Sequence, residues 1–461
     1  MENNCIEPKR EGSSCNREGG DMEVPVGGGK ESTERSTRLS RQHIVRLSIA
    51  EQVAIYRTNE AMRPLCDSVW RRSHKRLDFR QLERELSGEP LSFFVNHMMD
   101  NYRSAYFIAD RLQENLNVLE RAGVRALINV HHCKLLLSSS ESQRQNDDGD
   151  AQQVRVAAVL GGALMPQWPL HALPKILCNL RRLKVHCDVQ VHFIQQFPQL
   201  EQLMLCGNVS QSALTGILER CKQLDHLFIK CPEPTFSLHG IINLSKLQDL
   251  SIPMSMFLDI HEKVLSLPEL HYLELTKGGQ NSEELTIECL GHMLQIRPND
   301  IEIVRLNCSR FKGSDWMREL DLQRCGRLQG LVLNNCRFHE RKICNMNMPY
   351  VANYLVLSGC PDLSDSQLVD MIKKCSHLSE LYLIDCPLLN GQVLYEIYRI
   401  RHNLKLDYPL SIILDQCELI KTEYQKAYAA YWVFRQSVIK LDCLLEENTT
   451  FQNLQTFFFK K

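Results

Sequence analysis

The sequence predicts an α/β solenoid, a curved horseshoe of stacked strand-and-helix units with a small helical segment at its head. Three observations carry this. One short apolar pattern recurs from about residue 177 to residue 417, its apolar positions alternate over a few residues, and a cysteine closes many of the copies.

The clearest copy is Cys375-Ser-His-Leu378-Ser-Glu-Leu381-Tyr-Leu383-Ile-Asp-Cys386, which reads C-x-x-L-x-x-L-x-L-x-x-C. It recurs as Cys325 to Cys336, with Leu328, Leu331 and Leu333, and as Cys221 to Cys231, with Leu224, Leu227 and Ile229. The pattern resembles the cysteine-containing leucine-rich repeat. In L-x-x-L-x-L the last two apolar residues stand two apart, so both fall on one face of a short strand. One such strand cannot bury its leucines alone, whereas stacked copies form a continuous core. The closing cysteine is expected to be a small buried hydrophobe with a weak S–H donor.

The position opening each strand segment falls at Leu180, Leu200, Leu224, Leu247, Leu270, Ile301, Leu328, Ala352, Leu378 and Pro409, at intervals of 20 to 31 residues. The two longest intervals hold extra helical stretches, Glu283 to Ile296 and Val393 to Ile400. Leucine-rich repeats are therefore assigned to residues 177–418.

Upstream, residues 1–37 are rich in Gly, Ser, Glu and Arg and are expected to be disordered. Within them Gly27 to Lys30 lacks the leading glycine and following hydroxyl of a phosphate loop. Residues 38–80 read as helices: Ser48 with Glu51 forms a capping box ahead of Val53, Ile55 and Tyr56, and a second helix carries Leu65, Val69 and Trp70. The order from Leu47 through Val53 to Val69-Trp70, Leu77 and Phe79 resembles the second half of an F-box. Together with the repeats it is similar to the F-box/leucine-rich-repeat proteins. The Leu-Pro opening of an F-box is absent, because residues 35–46 are polar and basic. The resemblance implies a substrate-recruiting subunit of a cullin-type ubiquitin ligase, with Leu47, Ile49, Val53 and Trp70 contacting the ligase adaptor protein. The alternative reading of the segment is a helical cap, which the exposed end of a solenoid requires, leaving a non-ligase interaction scaffold.

Residues 81–176 read as a helical linker and irregular first repeats, with a worn copy near residues 124–133 and a polar loop at 138–153. Residues 419–461 read as a C-terminal cap and tail: an aromatic helix to Gln436, a last strand in Val438 to Cys443, and a run of phenylalanines at 457–459.

Lys and Arg number 54 against 55 Asp and Glu, which favours neither nucleic acid nor a membrane surface as partner. No apolar run has the length of a membrane span, and the first residues lack a secretory signal. The 19 cysteines, many explained by repeat register, are expected to be reduced in a cytoplasmic or nuclear protein. No catalytic or zinc-binding constellation is recognised; His131-His132-Cys133 has no second ligand cluster. No catalytic residue, metal or cofactor is assigned, and no small-molecule ligand is expected on an open polar face. The chain is read as no enzyme. Function falls to the concave sheet, whose outward positions begin basic at Arg181, Arg182 and Lys184. Phe228, Tyr272, Arg305, Tyr354 and Tyr382 are the candidate target-binding residues, because exposed aromatics beside arginine make binding hot spots. The target protein itself is not legible.

Overall fold

The computed structural model describes residues 42–137, 168–187, 191–207, 209–231, 236–277, 283–309, 311, 316–338, 352–375, 377–406, 408–420, 422 and 439–443. The polar tail at 1–37, the loop at 138–153, the aromatic stretch before Gln436 and the phenylalanine run lie outside these residues. The chain divides into two compact units, Met1–Ser73 and His74–Lys461.

In the first unit, a helical turn at 42–46 is followed by α1 (Ile49–Thr58) and α2 (Arg63–Ser73). The capping box forms as the sequence predicts: the Glu51 backbone N–H donates to Ser48 Oγ at 3.2 Å and Glu51 Oε2 accepts from the Ser48 N–H at 2.8 Å. Ile49 and Val53 turn inward on α1, as do Cys66, Val69 and Trp70 on α2.

The second unit is a 14-stranded sheet in which every described pairing is parallel and strand order follows chain order. Its strands are β1 (Arg76–Asp78), β2 (Ser104–Ile108), β3 (His132–Leu137), β4 (Arg182–Cys187), β5 (Gln202–Cys206), β6 (His226–Lys230) and β7 (Asp249–Pro253). They continue with β8 (Tyr272–Thr276), β9 (Ile303–Asn307), β10 (Gly330–Asn334), β11 (Tyr354–Ser358), β12 (Glu380–Ile384), β13 (Leu410–Asp415) and β14 (Ile439–Cys443). Each repeat thus adds one strand beside the last, the geometry of a leucine-rich-repeat solenoid.

The register aligns the repeat leucines into columns. Leu203 pairs with Leu227, Leu331 with Leu355, and Leu355 with Leu381, and these side chains are buried. Helices complete the leucine side: in Gln211–Arg220, Ala213, Leu214, Ile217 and Leu218 point inward. The long repeats do contain helices, Glu283–Ile296 and Gln392–Leu404, as their extra residues require.

Two strands precede the worn copy at residues 124–133, and a third, β3, takes in its Cys133. β1 and β2 lie in stretches that carry no L-x-x-L-x-L pattern, and β3 begins at His132, beyond the worn copy's Val124 to Val130. Their inward residues are Leu77 on β1, Ala105 and Phe107 on β2, and Cys133 and Leu135 on β3, spaced as in the later repeats but with few leucines.

The strand exits explain the cysteines. Between the last strand residue and the cysteine, one residue takes the left-handed conformation in four successive repeats: Asn335 (φ 54°), Gly359 (φ 62°), Asp385 (φ 49°) and Gln416 (φ 51°). Its N–H donates to the next strand, as Gly359 does to Ile384 O at 2.8 Å and Asp385 to Asp415 O at 2.9 Å. The turn drives the following cysteine inward, where its thiol reaches backbone carbonyls, Cys386 to Leu357 O at 3.6 Å and Cys417 to Leu383 O at 3.4 Å. Burial pushes the Cys133, Cys221 and Cys375 thiols up to about 12, so they stay protonated. Among the described residues no helix is long and apolar enough to cross a membrane.

Candidate functional site

The face opposite the leucines is built from alternate strand residues, and the parallel register lines them up in rows with neighbours ~4.8 Å apart. One row runs Tyr106, Lys134, Lys184, Met204, Phe228, Ser251, Glu274, Arg305, Val332, Val356, Tyr382 and Ile413. Parallel to it stand Arg76, Ser104, His132, Arg182, Gln202, His226, Asp249, Tyr272, Ile303, Gly330, Tyr354 and Glu380. Residues some 25 positions apart in sequence are therefore side by side.

The two rows divide into three regions. From β1 to β5 the face is cationic, with a depression of about 330 Å³ bordered by Arg76, Lys134, Arg182, Lys184, Met204 and Phe228. Tyr106 stands among these cations, 5.1 Å from the Arg76 guanidinium and 5.7 Å from the Lys134 ammonium.

The middle, β6 to β9, holds paired charges. His226 lies between two carboxylates, donating from Nδ1 to Asp225 Oδ1 and from Nε2 to Asp249 Oδ2, the latter 2.9 Å away. Burial alone would lower its pKa, but hydrogen bonds to Asp225 and Asp249 and their charges outweigh it, and the imidazole is pushed up to about 9. Further along, Glu274 Oε1 stands 3.1 Å from Arg305 Nε, while Ser251 Oγ donates to Glu274 Oε2 at 2.7 Å. Tyr272 OH also reaches Glu274 Oε2, at 3.4 Å, and burial and that carboxylate hold the phenol well above its usual pKa.

The last region, β10 to β13, is apolar: Val332, Val356, Tyr382 and Ile384 pack together with Tyr354 and Ile413 beside them. The Tyr354 ring fills the place where a side chain on Gly330 would stand. Tyr382 OH donates to Glu380 Oε2 at 2.9 Å.

All five residues chosen from the sequence, Phe228, Tyr272, Arg305, Tyr354 and Tyr382, lie on this face. Their expected exposure does not hold: Phe228, Tyr272, Arg305 and Tyr382 are 6 to 9% exposed, and Tyr354 is half-buried. Strand alternation tells which side a residue takes, while cross-strand neighbours decide how much of it water reaches. Sequence reasoning did not single out Lys134, Asp249 with His226 as a pair, or Gly330. The repeat register, extended upstream and read across strands, is the signal that finds them.

In the first unit, Ile49, Val53 and Trp70 are buried and Leu47 is half-buried, with Val45 exposed nearby. The Trp70 indole N–H donates to Gln52 Oε1 at 2.7 Å, and Gln52 Nε2 donates to Ile44 O at 3.0 Å and Leu47 O at 2.8 Å. Tyr56 stacks on Trp70 with centroids 5.1 Å apart. These residues knit the unit's own interior.

His131 Nδ1 meets Asn179 O at 3.1 Å, Cys133 is buried and His132 takes the opposite face of the strand. Among the described residues no group of three His, Cys, Asp or Glu is arranged to hold a metal ion.

No family model matches the chain, and no curated protein matches it. Among solved structures it is similar to the leucine-rich repeat-containing protein LegL7 from Legionella pneumophila, at 15% identity and a TM-score of 0.34, over 60% of this chain and 87% of that one.

Proposed function

We propose that the chain is a non-catalytic protein-interaction scaffold that holds a partner protein on the sheet face opposite the leucines. The observation that carries this reading is the register of that face. Fourteen parallel strands align a cationic region, a paired-charge region and an apolar region in consecutive order. An extended rigid surface graded in this way suits a macromolecular ligand, whereas small molecules favour enclosed apolar pockets.

The finer reading, a substrate-recruiting subunit of a cullin-type ligase, needs an adaptor surface on residues 39–70. Burial of Ile49, Val53 and Trp70 favours the plain scaffold, because a buried side chain has no area left for an adaptor. Half-buried Leu47 beside exposed Val45 supplies what support the ligase reading has. Affinity capture of the full chain, blotted for the cullin adaptor, separates them. Adaptor recovered with the wild type and lost with Leu47→Asp/Val45→Asp supports the ligase subunit. Partners recovered without adaptor, and cross-linked through a photo-probe on the sheet face, support the scaffold.

A further inference from the structure

The cationic end of the sheet spreads its charges over several strands. We propose that β1 to β5 form a docking site for an extended acidic segment of a partner protein, one rich in Asp and Glu with an apolar residue among them. This rests on the scaffold reading and names the chemistry of what the face takes.

Charge complementarity comes first. On the outward positions of β1 to β5, Arg76, Lys134, Arg182 and Lys184 face a single carboxylate, Asp78, in a chain whose formal net charge is −1. Asp78 is taken up by Arg76 at 3.4 Å. Arg182 and Lys184 have no ion pair among the described residues, and Arg182 is exposed. The positive field is felt by neighbouring groups. Burial and then Arg182 depress His132, and the burial that raises the Cys206 thiol is opposed by Lys184, Lys230 and Lys134.

The arrangement selects among anions. Lys134 and Lys184 are register partners on adjacent strands, ~4.8 Å apart, and Arg182 stands two residues from Lys184, ~6.6 Å along the strand. Cations so distributed match carboxylates spaced along a chain better than one compact phosphate, which favours a convergent arginine fork. The region spans five strands, ~20 Å, which an extended peptide crosses in about six residues. Beyond it Asp225 and Asp249 flank His226, so a polyanion running on along the sheet meets carboxylates. That disfavours nucleic acid. Met204, beside Lys184 in the depression, offers apolar surface for the non-acidic residue.

The test uses the full-length chain and fluorescein-labelled decapeptides: one alternating Glu and Asp around a central Phe, and one with Gln and Asn in their place. A single-stranded decanucleotide is the third probe. Fluorescence anisotropy at low salt is expected to show binding of the acidic peptide at least about tenfold tighter than the neutral one, weakening as salt rises. Arg182→Glu/Lys184→Glu is expected to lose about tenfold or more, with an unchanged melting temperature because both side chains reach solvent. Equal binding of acidic and neutral peptides, no effect of charge reversal, or tighter binding of the oligonucleotide overturns the proposal. If the peptide test fails while the wild type still captures and cross-links protein partners through a photo-probe on β10 to β13, only the acidic-segment proposal fails. Loss of all cross-linking from the face, with wild type and variant alike, sinks the scaffold reading too.

Discussion

Glu274 and Arg305, register partners on β8 and β9, form an ion pair of 3.1 Å with both side chains under a tenth exposed. Ser251 and Tyr272 add hydrogen bonds to the same carboxylate, so the anion is held on three sides. A buried pair of this kind is weak evidence for stability as a unit, since each charge was taken out of water, but loss of one partner strands the other.

Arg305→Ala is therefore expected to destabilise the chain by about 3–5 kcal/mol, while Arg305→Met/Glu274→Met returns most of that loss. Urea denaturation of the single and double variants measures both. A single variant as stable as the wild type would remove the pair from the account of this face.

His226 predicts a pH dependence. Its pKa in the folded chain is about 9, above the ~6.5 of an unfolded histidine. The stabilisation is fully present below pH ~6.5 and is lost as pH rises through about 9. Buried thiols add their own loss above pH ~8.5, because the unfolded chain ionises them more readily. The difference between wild type and His226→Gln isolates the imidazole: it should shrink by about 3 kcal/mol between pH ~6 and pH ~10 and then level off. A constant difference across that range would exclude the raised pKa.

Gly330 lies on the opposite face under the Tyr354 ring. Gly330→Ala is expected to push the ring aside and unsettle Val332, Val356 and Tyr382, at a cost of about 1–3 kcal/mol. Tyr354→Ala/Gly330→Ala removes the clash, so a thermal melt should find the double variant more stable than additivity allows.

In the first unit, Gln52 accepts from Trp70 and donates to two backbone carbonyls. Gln52→Leu leaves the indole N–H and those carbonyls without this partner inside the unit, and should cost about 2–4 kcal/mol. Near-ultraviolet circular dichroism of the tryptophan region, followed through a melt, reports it. Loss of the Trp70 environment with the sheet signal retained would also show that this unit unfolds by itself.

The repeat strands, the helices of the two long repeats, the inward cysteines and the capping box at Ser48 were legible in the sequence. Each depends on residues close together in the chain: two leucines two apart, a hydroxyl three before a glutamate. β1 and β2 were not: Arg76-Leu77-Asp78 has one apolar residue, and the continuous apolar run Ala105 to Ile108 reads as loosely helical, so both become strands by pairing with the next repeat. The opposite face divides likewise. Alternation in the sequence assigned Phe228, Tyr272, Arg305, Tyr354 and Tyr382 to it, since the side of a strand is set by parity alone. Tertiary structure decided that Glu274 meets Arg305, that Tyr354 covers Gly330 and that four cations converge from β1 to β4, because those partners lie a repeat apart and only the lateral stacking of strands brings them within reach.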